Sequence, residues 1–357
     1  MTTRGVAISV FSGVGGLDLG AEKAGFEVRA AVERDVNAAD TMRKNFPHLA
    51  GSVICADILD VPTTEIMAAA GLSRRERPDL LIGGPPCTPF SKSGFWLDWK
   101  RAGRDPAAGL LQEFTRVLRE ARPRGFVLEN VSALTFDNRA SRPAFQRLLA
   151  EADAAGYKHA WKVLNAADFG VAQSRQRLFV TGVLKTEKTT PGLPVPGFGG
   201  TRNRRVPGDP GKPHVTAGQA LEGLTASPEP SDEVAGRYGH LLPGIPPGGN
   251  YLHYTAERGH PAPLFRWRSR YWSFLLKLDP DRPSPTIQAQ PGPYTGPFHW
   301  ENRRLRIPEL KRLFGFPDEF QFTGSRNSVQ SQIGNSVPPE LSRAVMATLF
   351  GNGAEER

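Results

Sequence analysis

The run Val6-Ala7-Ile8-Ser9-Val10-Phe11 passes without a break into Ser12-Gly13-Val14-Gly15-Gly16, and then into helix-forming residues from Leu17 to Ala24. A β-branched strand, a glycine turn and a helix form the opening unit of a nucleotide-type α/β fold, so this stretch restricts the chain strongly. Glycines accept positive φ and let a ligand come close to the backbone. The spacing is not the dinucleotide fingerprint, because Asp18 stands where Gly-x-Gly-x-x-Gly needs its third glycine. A nicotinamide dehydrogenase is therefore disfavoured.

Further strands repeat the pattern. Phe26 to Val32 ends on Glu33, and Val53 to Ala56 ends on Asp57. An acid at the first of these ends can accept both hydroxyls of a ribose. Alone, either acid reads more simply as a helix cap or a solvated loop residue. Together with the glycine turn they suit an adenosine-containing cofactor at the crest of the sheet. A fourth apolar run, Leu80-Leu81-Ile82, leads into Gly83-Gly84-Pro85-Pro86-Cys87-Thr88-Pro89-Phe90-Ser91. The two prolines fix φ and remove backbone donors just before the cysteine. A thiol held where a strand ends and a loop begins is well placed for a nucleophile. The plainer alternative is a proline-rich turn carrying a buried Cys.

The segment from Lys92 to Pro106 carries Gly94, Trp96, Trp99, Lys100, Arg101, Gly103 and Arg104, the texture of a lid or binding loop. A helix is expected from about Leu110, where Leu110, Leu111, Phe114, Val117 and Leu118 recur at helical spacing. Gly125 to Leu128 reads as a fifth strand ending at Glu129-Asn130-Val131, followed by an amphipathic helix. A strand pair, Tyr157 to Leu164 and Leu178 to Val183, brackets Gln173-Ser174-Arg175-Gln176-Arg177. Alternation puts Gln173, Arg175 and Arg177 on one side of an extended chain.

With 357 residues, two lobes are expected. The predicted division is 1–185 for a catalytic and cofactor-binding domain, 186–320 for an irregular recognition lobe, and 321–357 for a segment returning to the first domain. The middle segment is rich in Pro and Gly. It carries the basic residues Arg202, Arg204 and Arg205, and the interleaved run Phe265-Arg266-Trp267-Arg268-Ser269-Arg270-Tyr271-Trp272. A formal net charge of +9 favours a polyanionic partner, although a solvated surface lobe would share this composition. Only Cys55 and Cys87 are present, which argues against a disulfide framework and a Cys-rich zinc site. No apolar stretch approaches membrane-spanning length, so a soluble, cytoplasmic protein is expected.

These motifs resemble, in order along nearly the whole chain, those of the DNA (cytosine-5) methyltransferases of bacterial restriction-modification type. Phe11 to Gly16 is similar to the family's cofactor loop, and Pro85-Pro86-Cys87 to its nucleophile motif. Glu129-Asn130-Val131 is similar to the acid motif, and Gln173 to Arg177 to the Gln-x-Arg-x-Arg motif. Arg304 to Glu309, continuing through Arg312 to Pro317, resembles the segment packing the recognition lobe; Gly334-Asn335-Ser336-Val337 resembles the C-terminal motif. Two positions depart from the pattern. Arg34 stands where an aromatic residue often follows the ribose-binding acid, and Arg306-Ile307-Pro308-Glu309 replaces Thr-x-x-Glu.

The resemblance implies a Rossmann-like, doubly wound, mostly parallel sheet with a smaller recognition lobe. It also implies transfer of a methyl group from S-adenosylmethionine to carbon 5 of a flipped-out cytosine in double-stranded DNA, leaving S-adenosylhomocysteine. Cys87 would add to C6, Glu129 would donate to N3, Arg177 would donate to O2, and Arg175 would assist or orient its loop. Phe11, Gly13, Gly15, Gly16, Glu33, Asp57, Ile58, Pro85, Leu110 and Asn335 would hold the cofactor, without any metal. Ser91, Gln173, Arg202, Arg204, Arg205, Arg266, Arg268 and Arg270 would meet DNA. A monomer acting beside a restriction endonuclease of the same site is expected. A tRNA methyltransferase of the same fold is disfavoured by the large lobe, and a silent DNA-binding module by the intact Cys87, Glu129 and Arg177.

Overall fold

In the computed structural model, residues 3–86, 109–138, 141–199, 211–268 and 271–350 are described. Strand β1 (Gly5–Val10) lies in the middle of the sheet, which explains its unbroken apolar run. Its neighbours are β2 (Phe26–Glu33) and β4 (Leu80–Gly83), both parallel to it. Adding β3 (Val53–Cys55), β5 (Gly125–Val131), β6 (Tyr157–Asn165) and β7 (Gln176–Leu184) gives the order β3-β2-β1-β4-β5-β7-β6. Only β7 runs antiparallel, between β5 and β6. The order reverses between β1 and β4, and in open α/β sheets the crevice at such a reversal holds the ligand. The glycine turn after β1 and the Gly84-Pro85 turn after β4 flank that crevice.

Helices cover both faces. Ala7 of β1 faces a core shared with α1 (Gly16–Lys23) and α2 (Val36–Asn45), while Ile8 and Val10 face another shared with α3 (Thr63–Ala69), α4 (Leu110–Ala121) and α5 (Ser141–Ala154). The first core is completed by α6 (Ala217–Leu221), α7 (Ile307–Phe314), α8 (Arg326–Asn335) and α9 (Pro339–Ala347). The chain end thus returns to its beginning: Ser342 Oγ on α9 donates to the Leu17 carbonyl on α1 at 3.0 Å. A side chain at Gly20 would strike Ser342, so that glycine sets the closeness of the two helices.

A separate core spans Val234 to Phe298. Tyr238, Tyr251, Phe265, Phe274 and Tyr294 meet there edge to face, a geometry that adds to simple area burial. This unit is narrower than the expected 186–320, because α6, Ile287, Leu305 and α7 pack into the main core. Glu309 Oε2 accepts the Arg306 backbone N–H at 2.8 Å, so α7 starts with the acid half of a capping box although no Thr is present. Arg306 also pairs with Asp232 at 2.7 Å and ties α7 to the lobe.

Asp18, in the first turn of α1, is fully buried. Burial pushes its carboxyl up to about 7, against the pull of the Ser9 hydroxyl on β1 and with a push from Glu22 and Glu33. Neither carboxyl oxygen has a hydrogen bond of normal geometry among the described residues. The folded protein therefore holds this proton more tightly than the unfolded chain. Its contribution to stability is full below the ordinary carboxylate value and falls as pH rises to about 7. Asp18→Asn is expected to remove that fall, a relative gain of up to about 4 kcal/mol at pH 8. Urea midpoints of both proteins at pH 5 and pH 8 check this; the same pH dependence in both would contradict it.

Candidate active site

Glu129 and Arg177 meet because of strand register. In β5 and β7, Val131 lies opposite Arg177 and Glu129 lies opposite Phe179. Alternation puts Glu129 and Val131 on one face, so Glu129 and Arg177 are diagonal neighbours. Arg177 Nε donates to Glu129 Oε1 at 2.9 Å. Glu129 is 7% exposed, and burial raises its carboxyl above the ordinary value although Arg177 and Arg175 pull it down. Burial wins because a charged carboxylate in the interior loses its water. The result is a carboxyl that retains its proton to higher pH than a solvated one.

The β4 turn lies against this acid. A Cβ at Gly84 would stand 3.2 Å from Glu129 Oε2, so a glycine lets the turn close in. Asn130, fully enclosed, donates from Nδ2 to the Pro85 carbonyl at 3.0 Å and accepts the Val131 N–H at 2.9 Å. Asn130 thus fixes the backbone of the Pro85 turn, two residues before the cysteine in sequence. Cys87 itself, with Ser91, Arg202, Arg204, Arg205 and Arg270, lies outside the described residues.

Gln173 and Arg175 are both buried, and Arg175 lies close enough to act on the Glu129 carboxyl. Arg175 is almost wholly buried, with its guanidinium donating to the carbonyls of Ile287 (3.2 Å), Gly334 (2.5 Å) and Ser336 (3.0 Å) and lying over the Phe314 ring. Its guanidinium ties the entry of β7 to the C-terminal motif and to the chain at Ile287. Gln173 is fully buried and accepts the Ile287 N–H at 3.2 Å, so it presents no surface to DNA. Its expected DNA contact is corrected to a structural tie, because the recognition-lobe return passes directly over it. Alternation was expected to put Gln173, Arg175 and Arg177 on one side; Gln173 and Arg175 meet returning chain, whereas Arg177 meets Glu129.

The cofactor candidates gather at the strand ends. Phe11 holds a φ of 55°, uncommon for a bulky residue and frequent where ligands bind. Gly13 has φ 57° and open space where a side chain would project. Glu33 accepts the Gly13 N–H (2.7 Å) and the Asp35 N–H (2.8 Å), one on each oxygen, which leaves further lone pairs for hydroxyl donors. Asp57 starts a short turn beginning at Ile58, and its other oxygen pairs with Arg34 at 3.2 Å. The residue standing in place of the family's aromatic thus engages the acid expected at the adenine. Leu110 opens α4 and packs, like Phe11, on the second core. A side chain at Gly16 would overlap Ser336 and Val337, and one at Gly15 the Phe46 ring, so these two glycines admit chain rather than ligand. Asn335 is exposed at the last residue of α8, one position before that contact. In the lobe, Arg266 and Arg268 are exposed beside Trp267, whereas Phe265 turns into the aromatic core.

A mostly parallel sheet with a glycine turn and acids at its strand ends, plus a buried carboxyl at the reversal, defines a Rossmann-like methyltransferase. The family description "C-5 cytosine-specific DNA methylase" matches residues 6–222 and 251–351. The chain is 46% identical to the Type II methyltransferase M.SacI of Streptomyces achromogenes, over 96% of this chain and 92% of that one. It is 32% identical to the Type II methyltransferase M.NgoFVII of Neisseria gonorrhoeae, over 97% and 87%. Among solved structures, a chain described as a prophage-encoded DNA modification methyltransferase of E. coli superposes with a TM-score of 0.66 at 25% identity, over 97% and 98%. The Entamoeba histolytica methyltransferase EhMeth shares the fold, with a TM-score of 0.62 at 16% identity over 97% of each chain. The protein belongs to the C-5 cytosine-specific DNA methylases and is a DNA (cytosine-5)-methyltransferase.

Proposed function

We propose that the enzyme methylates carbon 5 of a cytosine rotated out of a specific double-stranded DNA sequence, through a covalent bond between Cys87 and C6. The observation that carries this reading is Glu129, buried beside the turn leading to Cys87 and pushed toward its protonated form. Carbon 5 is a weak nucleophile until a thiolate adds at C6 and converts the ring to an enamine. The Glu129 carboxyl donates its proton at N3 as electron density moves into the ring. Arg177, held against Glu129, is within the same group of donors and serves O2. Fixed donors aimed at developing charge are commonly the largest catalytic contribution. Once C5 carries the methyl group, a base takes H5 as the C6–S bond breaks and the Cys87 thiolate leaves, and the N3 proton returns to Glu129.

The residues at the strand ends fit S-adenosylmethionine. The open space at Gly13 admits a ligand against the backbone, and Glu33 has lone pairs left for ribose hydroxyls. Phe11 and Leu110, both partly exposed, supply apolar surface, Ile58 is buried in the core they pack on, and Asp57, shared with Arg34, offers an acceptor for an amine. When bound, this cofactor supplies the methyl group. The lobe around Val234 to Phe298, with Arg266 and Arg268 exposed, would read the sequence, and a restriction endonuclease of the same site is the setting expected for a monomeric, cytoplasmic enzyme of this type. The test is to incubate the full chain with S-adenosylmethionine and plasmid DNA and map protected cytosines by bisulfite sequencing. One short recurrent site with 5-methylcytosine is expected. Methylation of tRNA with none in duplex DNA would overturn the substrate.

A further inference from the structure

A second concavity lies at the opposite end of the sheet from Glu129. It has a volume of about 950 Å³, between α3, the turn at residues 71–77 and the last turn of α4. Helix α4 begins at Leu110 beside the candidate cofactor site and ends at Ala121 on the cavity floor. Twelve helical residues separate the two places by about 18 Å.

The floor is apolar, with Met67, Leu72 and Ala121, and the rim carries Arg74, Arg75, Arg77 and Arg122. All four arginines are exposed, and none has an ion pair or side-chain hydrogen bond among the described residues. Nearby arginines differ: Arg116 pairs with Glu113 at 2.6 Å, and Arg124 with Asp79 and Glu187 at 3.0 and 3.1 Å. The two acids of the cavity are also engaged. Glu120 accepts from Thr63 Oγ1 at 2.6 Å and pairs with Arg116, and Glu76 accepts the Ser73 N–H at 2.8 Å. Arg77 and Arg122 come from different loops, and both line the cavity.

Guanidinium groups brought to one pocket by two separate loops suit an anion with several oxygens, which they grip with paired N–H donors. An apolar floor with a methionine suits a flat ring. The volume is that of a small-molecule site. The cavity lies well away from the candidate active site, so its arginines are not clamps on DNA engaged at Glu129. We propose that this cavity binds a phosphorylated small molecule of nucleotide size, with its phosphates on the four arginines and its base over Met67 and Leu72.

The test uses the full chain and a fluorescent N-methylanthraniloyl derivative of guanosine triphosphate, since an adenine nucleotide would also suit the candidate cofactor site. Saturable binding is expected, displaced by inorganic tripolyphosphate. The Arg77→Ala/Arg122→Ala protein, surface-altered only, should bind about tenfold or more weakly. It should methylate DNA at the wild-type rate. Undiminished binding by the variant, displacement by S-adenosylhomocysteine, or displacement by duplex DNA but not by tripolyphosphate would each overturn the assignment.

Discussion

A Glu129→Gln enzyme is expected to bind duplex DNA as wild type does and to turn over about 10²–10⁴ times more slowly. The substitution keeps the shape and a hydrogen-bond donor, so the base edge is still met. What it removes is the proton that would pass to N3. Burial raises the Glu129 carboxyl above its ordinary value, so the acid is protonated below that raised value and loses its proton above it. Wild-type turnover should therefore decline as pH rises through it, and the Gln variant should lack that limb because an amide does not titrate. Single-turnover rates across pH, with DNA affinity measured separately, check both statements. A Gln enzyme as fast as wild type would remove Glu129 from the chemistry.

Cys87→Ser is expected to abolish methyl transfer while leaving S-adenosylmethionine binding in place. A serine hydroxyl holds its proton at neutral pH, whereas a cysteine is partly thiolate and intrinsically more nucleophilic. The cofactor candidates Phe11, Gly13 and Glu33 belong to other strand ends, so the loss should fall on the chemical step. Cys55→Ser should be tolerated: Cys55 ends β3 beside Glu33, and no step of the reaction calls on it. Labelled-methyl incorporation and calorimetric binding of the cofactor separate the two effects. Weakened binding with a normal single-turnover rate would contradict the assignment.

The sheet was legible because its strands are apolar runs ending in chemistry-bearing residues. β1, β2, β4 and β5 lie within a residue or a few of their expected bounds. The antiparallel β7 was visible only as a strand pair; its place between β5 and β6 depends on pairings that no local pattern records. Glu129 and Arg177 were both legible, but the contact between them comes from register. Gln173 and Arg175 show the converse case, since polar side chains in a motif read as substrate contacts until the segment crossing over them is known. Ile287 and Gly334, which accept from or donate to them, lie more than a hundred residues away. Helix α8 went unread because Arg326 to Asn335 is polar and ends in the Gly-Asn pair of a motif; it is held by tertiary contacts such as Val329 and Ile333 in the core. Asp18 was noticed only as a missing glycine, and its burial is a property of the packed α1.

The covalent bond between Cys87 and cytosine C6 is the central claim, and trapping tests it most directly. A duplex with 5-fluorocytosine at the mapped target, incubated with enzyme and S-adenosylmethionine, should yield a protein–DNA species that survives denaturant. The fluorine prevents the final elimination at C5, so the adduct accumulates. Peptide mass spectrometry should then find the modified nucleotide on Cys87, and the Cys87→Ser protein should give no such species. An adduct formed by Cys87→Ser, or a wild-type adduct carried on Cys55, would contradict the mechanism.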